Sequence, residues 1–306
     1  METLAPIVLF VYNRPDHVER TLTALRNNYL ATESDLIVYS DSFKDDDSAK
    51  RVQEVRSYLK SIRGFHSITI IERERNLGLS ENIIHGVTET VLKYGKIIVI
   101  EDDLVTSPSF LQFMNDGLTA YEQEEKVISI HGYIYPVKGM LPETFFLRGA
   151  DCWGWATWKR GWNLFENNGK KLLEEIKSKR LENDFNFNGC YPFLRMLEKQ
   201  VAGKIDSWAI RWYASAFLAR KLTLYPGKSL IQNIGIDNSG THHKHSTILD
   251  VSLADEMPSI KQIPVREDEE AYRLVAEFIK NLHPPLWKRI FKKVGSLTRL
   301  DTSYVA

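Results

Sequence analysis

Residues 97–113 read Ile-Ile-Val-Ile-Glu-Asp-Asp-Leu-Val-Thr-Ser-Pro-Ser-Phe-Leu-Gln-Phe, with three carboxylates side by side at Glu101, Asp102 and Asp103. Crowded carboxylates repel one another, so a positive group should compensate them. Their oxygens are hard donors that suit Mn2+ or Mg2+, and those ions in turn hold phosphate oxygens. The β-branched run 97–100 is too short for a helix and too apolar for an exposed strand. It reads as a buried parallel strand, and ligands of open α/β sheets bind outside the carboxyl ends of such strands. The bland alternative is a solvated acidic turn, with Ser107-Pro108 opening the next helix. An isolated Glu-Asp-Asp does not separate the two.

The elements around the triplet tip the balance. Residues 7–11 are an apolar run, and Pro15 then opens a helix with Val18, Leu22 and Leu25 on one face. A second strand, 36–39, leads to Asp41. Val52, Val55, Leu59 and Ile62 mark the next helix, and 67–71 the third strand. The spacing of Ile83, Ile84, Val87 and Val91 predicts a helix over 79–94; 96–100 is the fourth strand; Phe110, Met114 and Leu118 begin another helix. Such alternation predicts an α/β fold with a mostly parallel sheet flanked by helices. Neither a Gly-x-Gly-x-x-Gly fingerprint nor a Walker loop follows the first strand, which argues against a standard dinucleotide or P-loop enzyme.

Past about residue 130 the pattern turns α+β. Tryptophans gather at 153, 155, 158 and 162, then at 208 and 212. Helices are predicted over 170–181, 191–201, 208–220 and 267–282, with a strand over 222–225. The expected organisation is an α/β half at 1–130, a second half of the same domain at 131–250, and a C-terminal helical extension at 251–306. Within the extension, 284–300 mixes Trp287, Ile290 and Phe291 with Lys288, Arg289, Lys292 and Lys293. That composition suits a docking helix with a solvated basic face, or a peripheral helix at an anionic membrane surface.

Polar groups stand at every strand end of the first half. Arg14, in Asn13-Arg14-Pro15, could pair with a phosphate or a pyrimidine edge, or form a surface salt bridge. Asp41 could accept from a base or ribose hydroxyl, or cap the next segment. Asn76, in Arg75-Asn76-Leu77-Gly78, could face the crevice or turn the chain.

In this order the motifs resemble nucleotide-sugar glycosyltransferases of the GT-A fold. The stretch Ile98-Val-Ile-Glu-Asp-Asp-Leu-x-x-Ser-Pro-x-Phe is most similar to the N-acetylglucosaminyltransferase I family, with family 2-like bacterial glycosyltransferases as the wider group. The resemblance implies that Asp103 binds Mn2+ (or Mg2+), while Glu101 and Asp102 approach sugar and ribose. It places Asn13, Arg14, Asp41 and Asn76 against the nucleotide. Cys152-Trp153-Gly154-Trp155 resembles a loop beside the donor sugar, with Cys152 where the family has glycine. Asp206-Ser207-Trp208 resembles the motif that supplies the catalytic base, with serine where a second acid stands. Ser239-Gly240-Thr241-His242-His243 resembles a segment closing over the diphosphate, which puts His242 toward the donor and His243 toward the metal, or the reverse.

The resulting expectation is an inverting, metal-dependent glycosyltransferase. It would move a sugar from a nucleotide-diphosphate sugar, UDP-linked with UDP-GlcNAc as one candidate, to a glycan or lipid-linked acceptor hydroxyl. Asp206 would take the acceptor proton, unless it simply caps the helix after it. Trp153, Trp155, Trp208 and Trp212 would offer faces to sugar rings, unless they are core. A sugar-phosphate nucleotidyltransferase is the other enzyme reading, but Asn13-Arg14-Pro15-Asp16 is not the glycine-rich basic loop it needs. A non-catalytic glycan-binding protein on the same fold would have little use for the acids. Across 306 residues the net charge is +0, which argues against nucleic acid as a partner. Two cysteines, Cys152 and Cys190, form no metal or disulfide framework. With no apolar run of membrane length, the expected location is cytoplasmic, with peripheral contact on the inner face of the membrane as the alternative.

Overall fold

A computed structural model describes residues 3–237 and 247–282. His242, His243 and the segment 284–300 lie outside the described residues. β1 (Ile7–Val11), β2 (Asp35–Ser40), β3 (Ser67–Glu72) and β4 (Lys96–Glu101) run parallel in the order β3-β2-β1-β4. Between them run α1 (Pro15–Arg26), α2 (Asp46–Leu59) and α3 (Leu79–Tyr94). Local chemistry sets their ends. Pro15 occupies the first turn of α1, where its missing N–H costs nothing. Asp45 and Ser48 form a reciprocal capping box on α2. Gly95 closes α3 in the left-handed region at φ 80°, which costs a glycine no Cβ strain.

The strand period sends Ile7, Leu9 and Val11 into one apolar core and Val8 and Phe10 into another. Helices therefore cover both faces of the sheet, as parallel strands require.

The rest of the described chain adds four strands to this sheet and a separate two-stranded ribbon. β5 (Leu104–Thr106), β6 (Val127–His131), β7 (Thr144–Arg148), β8 (Trp155–Trp158), β9 (Leu222–Pro226) and β10 (Ile231–Asn233) follow in sequence. The helices are α4 (Phe110–Ala120), α5 (Lys159–Trp162), α6 (Gly169–Ser178), α7 (Glu182–Phe185), α8 (Phe193–Val201), α9 (Trp208–Leu218) and α10 (Glu269–Leu282). The 8-stranded sheet has the order β3-β2-β1-β4-β8-β6-β9-β7. β8 is antiparallel to both β4 and β6, while β6 and β9 are parallel. The mostly parallel α/β sheet flanked by helices agrees with the expectation.

Residues 155–158 depart from it. They form an interior strand, not part of a loop beside the donor sugar. Every side chain of β8 is buried, so no polar alternation reveals the strand in the sequence. The ring of Trp155 lies 5.5 Å from that of Trp208 and 5.7 Å from that of Trp212. Trp155, Trp208 and Trp212 are 0%, 2% and 0% exposed, so none of them can stack on a sugar. Trp153 is only partly buried and meets Tyr133 edge-on, with centroids 4.7 Å apart.

Helix α10 begins two residues later than the apolar spacing suggests. Glu267 is held by Arg148 at 3.0 Å, and the Asp268 side chain accepts from the Ala271 N–H at 2.8 Å, as a cap does. Ala271, Leu274, Val275 and Ile279 are its buried residues. No helix among the described residues is long and apolar enough to cross a membrane.

His131, at the end of β6, is fully buried and neither ring nitrogen has a hydrogen-bond partner. Burial pushes its pKa down to about 4, against a weaker pull from Asp151. The unfolded chain therefore binds a proton that the folded one refuses between the ordinary value and about 4. Stability from this group is intact above that window and is lost as pH falls through it. Urea unfolding at pH 5 should show a loss of about 2 kcal/mol relative to pH 7 from this residue. His131→Gln, which stays neutral throughout, should flatten that part of the slope.

Candidate functional site

The register of the sheet gathers the strand ends. Val11 lies beside Ser40, and Phe10 beside Glu101, so the segments after β1, β2 and β4 open at one edge. Arg14 caps the start of α1 and reaches across to the acids. Its guanidinium donates to Asp102 and to Asp103, the latter at 2.9 Å. The Tyr12 N–H also points to Asp102, at 3.3 Å, and the Thr21 hydroxyl donates to its carbonyl at 2.8 Å. The compensating cation expected from the sequence is therefore Arg14. Burial disfavours the guanidinium charge, but Asp102 and Asp103 outweigh it and hold the proton more firmly than usual.

One guanidinium does not balance three carboxylates. Burial, then Asp103 and Asp102, push the Glu101 carboxyl up to about 8, although Arg14 pulls it the other way. Burial raises Asp102 as well, so the cluster sheds part of its charge by holding protons and ionises fully only when further positive charge joins Arg14.

Asp41 has another task. It is 4% exposed, and its oxygens accept from the N–H groups of Leu77 at 2.9 Å, Gly78 at 3.0 Å and Ser42 at 2.9 Å. Asn76 donates to Asp41 at 3.2 Å and to the Ser42 carbonyl at 2.6 Å. Both residues, expected at the nucleotide, tie the loop before α3 to the end of β2. Arg56 supports the same corner, donating to the Arg73 carbonyl at 2.9 Å and pairing with Glu72 at 3.1 Å. Asn13 sits, half-buried, at the bend between β1 and α1.

The second half folds back onto the acids. β10 pairs antiparallel with β5, and the Ile234 N–H donates to the Asp103 carbonyl at 2.8 Å. A Cβ on Gly235 would stand 2.1 Å from an Asp103 carboxylate oxygen, so only glycine permits this approach. His17, from α1, lies 3.2 Å from Asp237 and 3.3 Å from the Ile234 carbonyl. His17, Gly235 and Asp237 escaped the sequence reading because they meet only through the distant β5–β10 pairing. The one signal was the position of His17, a turn beyond Arg14.

Gly154 is buried at φ 66°, and a Cβ there would strike Ile231 at 2.7 Å. It shapes the contact between the Trp153 loop and β10. The Cys152 thiol is pushed well up by burial and by the carboxylates of Asp151, Glu101 and Asp103. The loop lies near the acids because Gly154 packs on Ile231 of β10, the strand paired with β5. Asp206 is exposed, and its carboxylate accepts a long contact of 3.4 Å from the Ser80 N–H. The helix cap expected as its alternative role belongs to Ser207, whose hydroxyl accepts from the Ile210 N–H at 3.3 Å. The structure thus joins Arg14, Asp102 and Asp103 directly, Asp41 with Asn76, and Asp206 with the loop that Asp41 holds.

The acids suit a hard divalent cation by donor type and by excess charge. No group of three or more His, Cys, Asp or Glu among the described residues forms a ready cage. Mg2+ is commonly held by one or two carboxylates together with substrate phosphates and water.

The sequence pattern of glycosyl transferase family 2 matches residues 7–198, which include β1 to β8 and the acidic triplet. The chain belongs to glycosyl transferase family 2. The finer likeness to the N-acetylglucosaminyltransferase I family rests on motif spacing alone. No curated protein matches the transferase. Among solved structures, the mannosyltransferase PcManGT from Pyrobaculum calidifontis, in complex with GDP-Man and Mn2+, is 12% identical with a TM-score of 0.34. The match covers 43% of this chain and 36% of that one. S. aureus TarS 1–349 is 12% identical with a TM-score of 0.40, covering 76% and 60% of the two chains.

Removing the Asp41 charge should loosen the loop before α3. Hydrogen bonds to a charged acceptor each contribute about 1.5–3 kcal/mol. Asp41→Asn is expected to destabilise the fold by about 2–3 kcal/mol, since an amide oxygen replaces only part of that acceptance. Amide hydrogen exchange should show the loss of protection first at Leu77 and Gly78; uniform loss across the sheet would assign Asp41 to the global core instead.

Proposed function

We propose that the protein is an inverting, metal-dependent glycosyltransferase. In this reading a nucleotide-diphosphate sugar, with UDP as nucleotide and N-acetylglucosamine as the sugar nearest the motif resemblance, donates to a hydroxyl of a glycan or lipid-linked acceptor. The observation that carries it is the excess of acidic oxygens at the end of β4, left after Arg14 has paired with Asp102 and Asp103. Three carboxyl groups beside one guanidinium ionise fully only when a further cation joins them, and a divalent ion would supply that charge.

Asp103 would hold Mn2+ or Mg2+, and His243 or His242, carried on the segment after Asp237, would complete the contact to metal and diphosphate. The metal, when bound, supplies positive charge against the leaving diphosphate. The residues of the chain do the rest. Arg14 keeps Asp102 and Asp103 aligned and brings a guanidinium to the phosphate side of the crevice. Asn13, Glu101 and Asp102 line the approach of nucleotide and sugar. Asp41 and Asn76 act by positioning the loop at 76–80. Gly154 sets the conformation of the loop that carries Trp153 toward the donor. Asp206, exposed on the far side of that crevice, takes the proton of the acceptor hydroxyl as it attacks, which inverts the sugar carbon. Its exposure and its single long contact to Ser80 leave its oxygens accessible to an incoming hydroxyl.

A lipid-linked acceptor would suit the basic and apolar residues of 284–300, each basic one adding roughly 1 kcal/mol at an anionic surface.

Incubating the protein with a panel of nucleotide sugars and Mn2+ tests the reaction class, because slow donor hydrolysis needs no acceptor. Asp103→Ala should abolish metal-dependent nucleotide-sugar affinity in a calorimetric titration. An unchanged Mn2+ dependence would remove Asp103 from the metal. Asp206→Asn should keep donor affinity and lower transfer ~10²–10⁴-fold, the range for a lost general base. Wild-type turnover in that variant would sink the assignment of Asp206.

A further inference from the structure

Behind the loop at 151–154 lies a cavity of about 150 Å³, lined among others by Tyr135, Asp151, Cys152, Phe193, Tyr213 and Tyr225. Its place in the fold is informative. Cys152, in its wall, adjoins the Trp153-Gly154 segment that packs on Ile231 of β10, the strand paired with β5 just after the acids. Ala209 and Ile210, in the opposite wall, lie in the first turn of α9, just after Asp206. The cavity is thus enclosed between the loop beside the acids and the helix that follows the proposed base. Val275 and Ile279 of α10 close it from the C-terminal side.

Its chemistry is mixed in a particular way. The walls combine aliphatic side chains with the rings of Tyr135, Phe187, Phe193, Tyr213 and Tyr225, and apolar ring faces match the C–H faces of a pyranose. One carboxylate enters this apolar setting. Asp151 accepts from the Cys152 N–H at 2.9 Å and from the Tyr135 hydroxyl at 3.4 Å. An ionised carboxylate offers about four acceptor sites, so capacity remains for a pair of hydroxyls. His131, fully buried with both ring nitrogens unpartnered, stands 3.7 Å from Asp151. The nearest cation in the lining, Arg148, is already paired with Glu267 at 3.0 Å. The cavity therefore carries net negative character.

Resting on the transferase reading, we propose that this cavity is the acceptor pocket. It takes one edge of a pyranose ring that bears no carboxylate, with Asp151 accepting from its hydroxyls. At about 150 Å³, near five water volumes of ~30 Å³ each, the cavity admits one hydroxyl-bearing edge of a ring and is well below the ~300–1,000 Å³ of pockets for larger ligands. A lipid chain is the poorer occupant, because it would bury Asp151 without giving it a donor. A uronic acid would set a second carboxylate against Asp151 in a desolvated site.

Saturation-transfer NMR on the full chain with methyl glucoside, methyl N-acetylglucosaminide and methyl glucuronide tests this directly. At least one uncharged glycoside should bind, and the glucuronide roughly tenfold more weakly or worse. Asp151→Asn should narrow that gap, and Ala209→Leu, which fills the cavity, should weaken every glycoside. Equal binding of charged and uncharged glycosides to the wild-type protein, or binding of none, overturns the proposal whether or not the variants fold. Titration with UDP and with GDP in the presence of Mn2+ reads the donor site separately. If glycosides discriminate but neither nucleotide binds, the transferase reading fails and the sugar pocket stands. If a nucleotide binds but glycosides do not discriminate, the pocket fails and the transferase reading stands.

Discussion

The pairing of Arg14 with Asp102 and Asp103 is the contact on which the rest of the site depends. Three neighbouring carboxylates at the end of an interior strand would carry a desolvation cost that no turn could offset. Arg14 can reach them because β1 lies directly beside β4 and because Pro15 starts α1 at once. Thr21, on the same helix, anchors the Asp102 carbonyl. A single element, α1, thereby fixes both the charge balance and the backbone of the acidic segment. The cost of desolvation is met only in part, and Glu101 shows the remainder in its raised pKa.

Two further constraints hold the crevice open around that pair. At β2, the buried carboxylate of Asp41 gathers the N–H groups of Leu77 and Gly78, donors at the start of α3 that would otherwise lack acceptors. At β5, the returning strand β10 lays Ile234 and Gly235 on Asp103. The first constraint is local to the parallel half. The second joins residues more than a hundred positions apart, so the acids are shaped by the half that carries the proposed acceptor cavity. Cys152 lines that cavity and adjoins the Trp153-Gly154 segment packed on β10.

The tryptophans show how composition misleads. Six of them between 153 and 212 suggest a sugar-binding surface. Instead Trp155, Trp162, Trp208 and Trp212 pack ring on ring, stacked or tilted, and Trp158 is buried as well, so Trp153 alone of these six stays partly exposed. Large aromatic rings bury more apolar area than any other side chain, and that drive toward the core prevails unless neighbours hold them outside.

The sequence by itself determined the parallel half. Helical spacing at Val18, Leu22 and Leu25, the apolar runs of β1 and β4, and an acidic triplet at a strand end are local signals with a fixed period, and all appear where expected. It also required a cation for the acids, which proved to be Arg14. Only the tertiary structure decided what the long-range contacts control. β8 enters the sheet antiparallel between β4 and β6, with every residue buried and no alternation to betray it. Asp41 and Asn76 serve the backbone of a loop, because their donors and acceptors come from another strand end. His17 meets Asp237 across most of the chain. Periodicity reports which face of an element is buried; it carries no record of what that face will meet, and the chemistry of this site is made by such meetings.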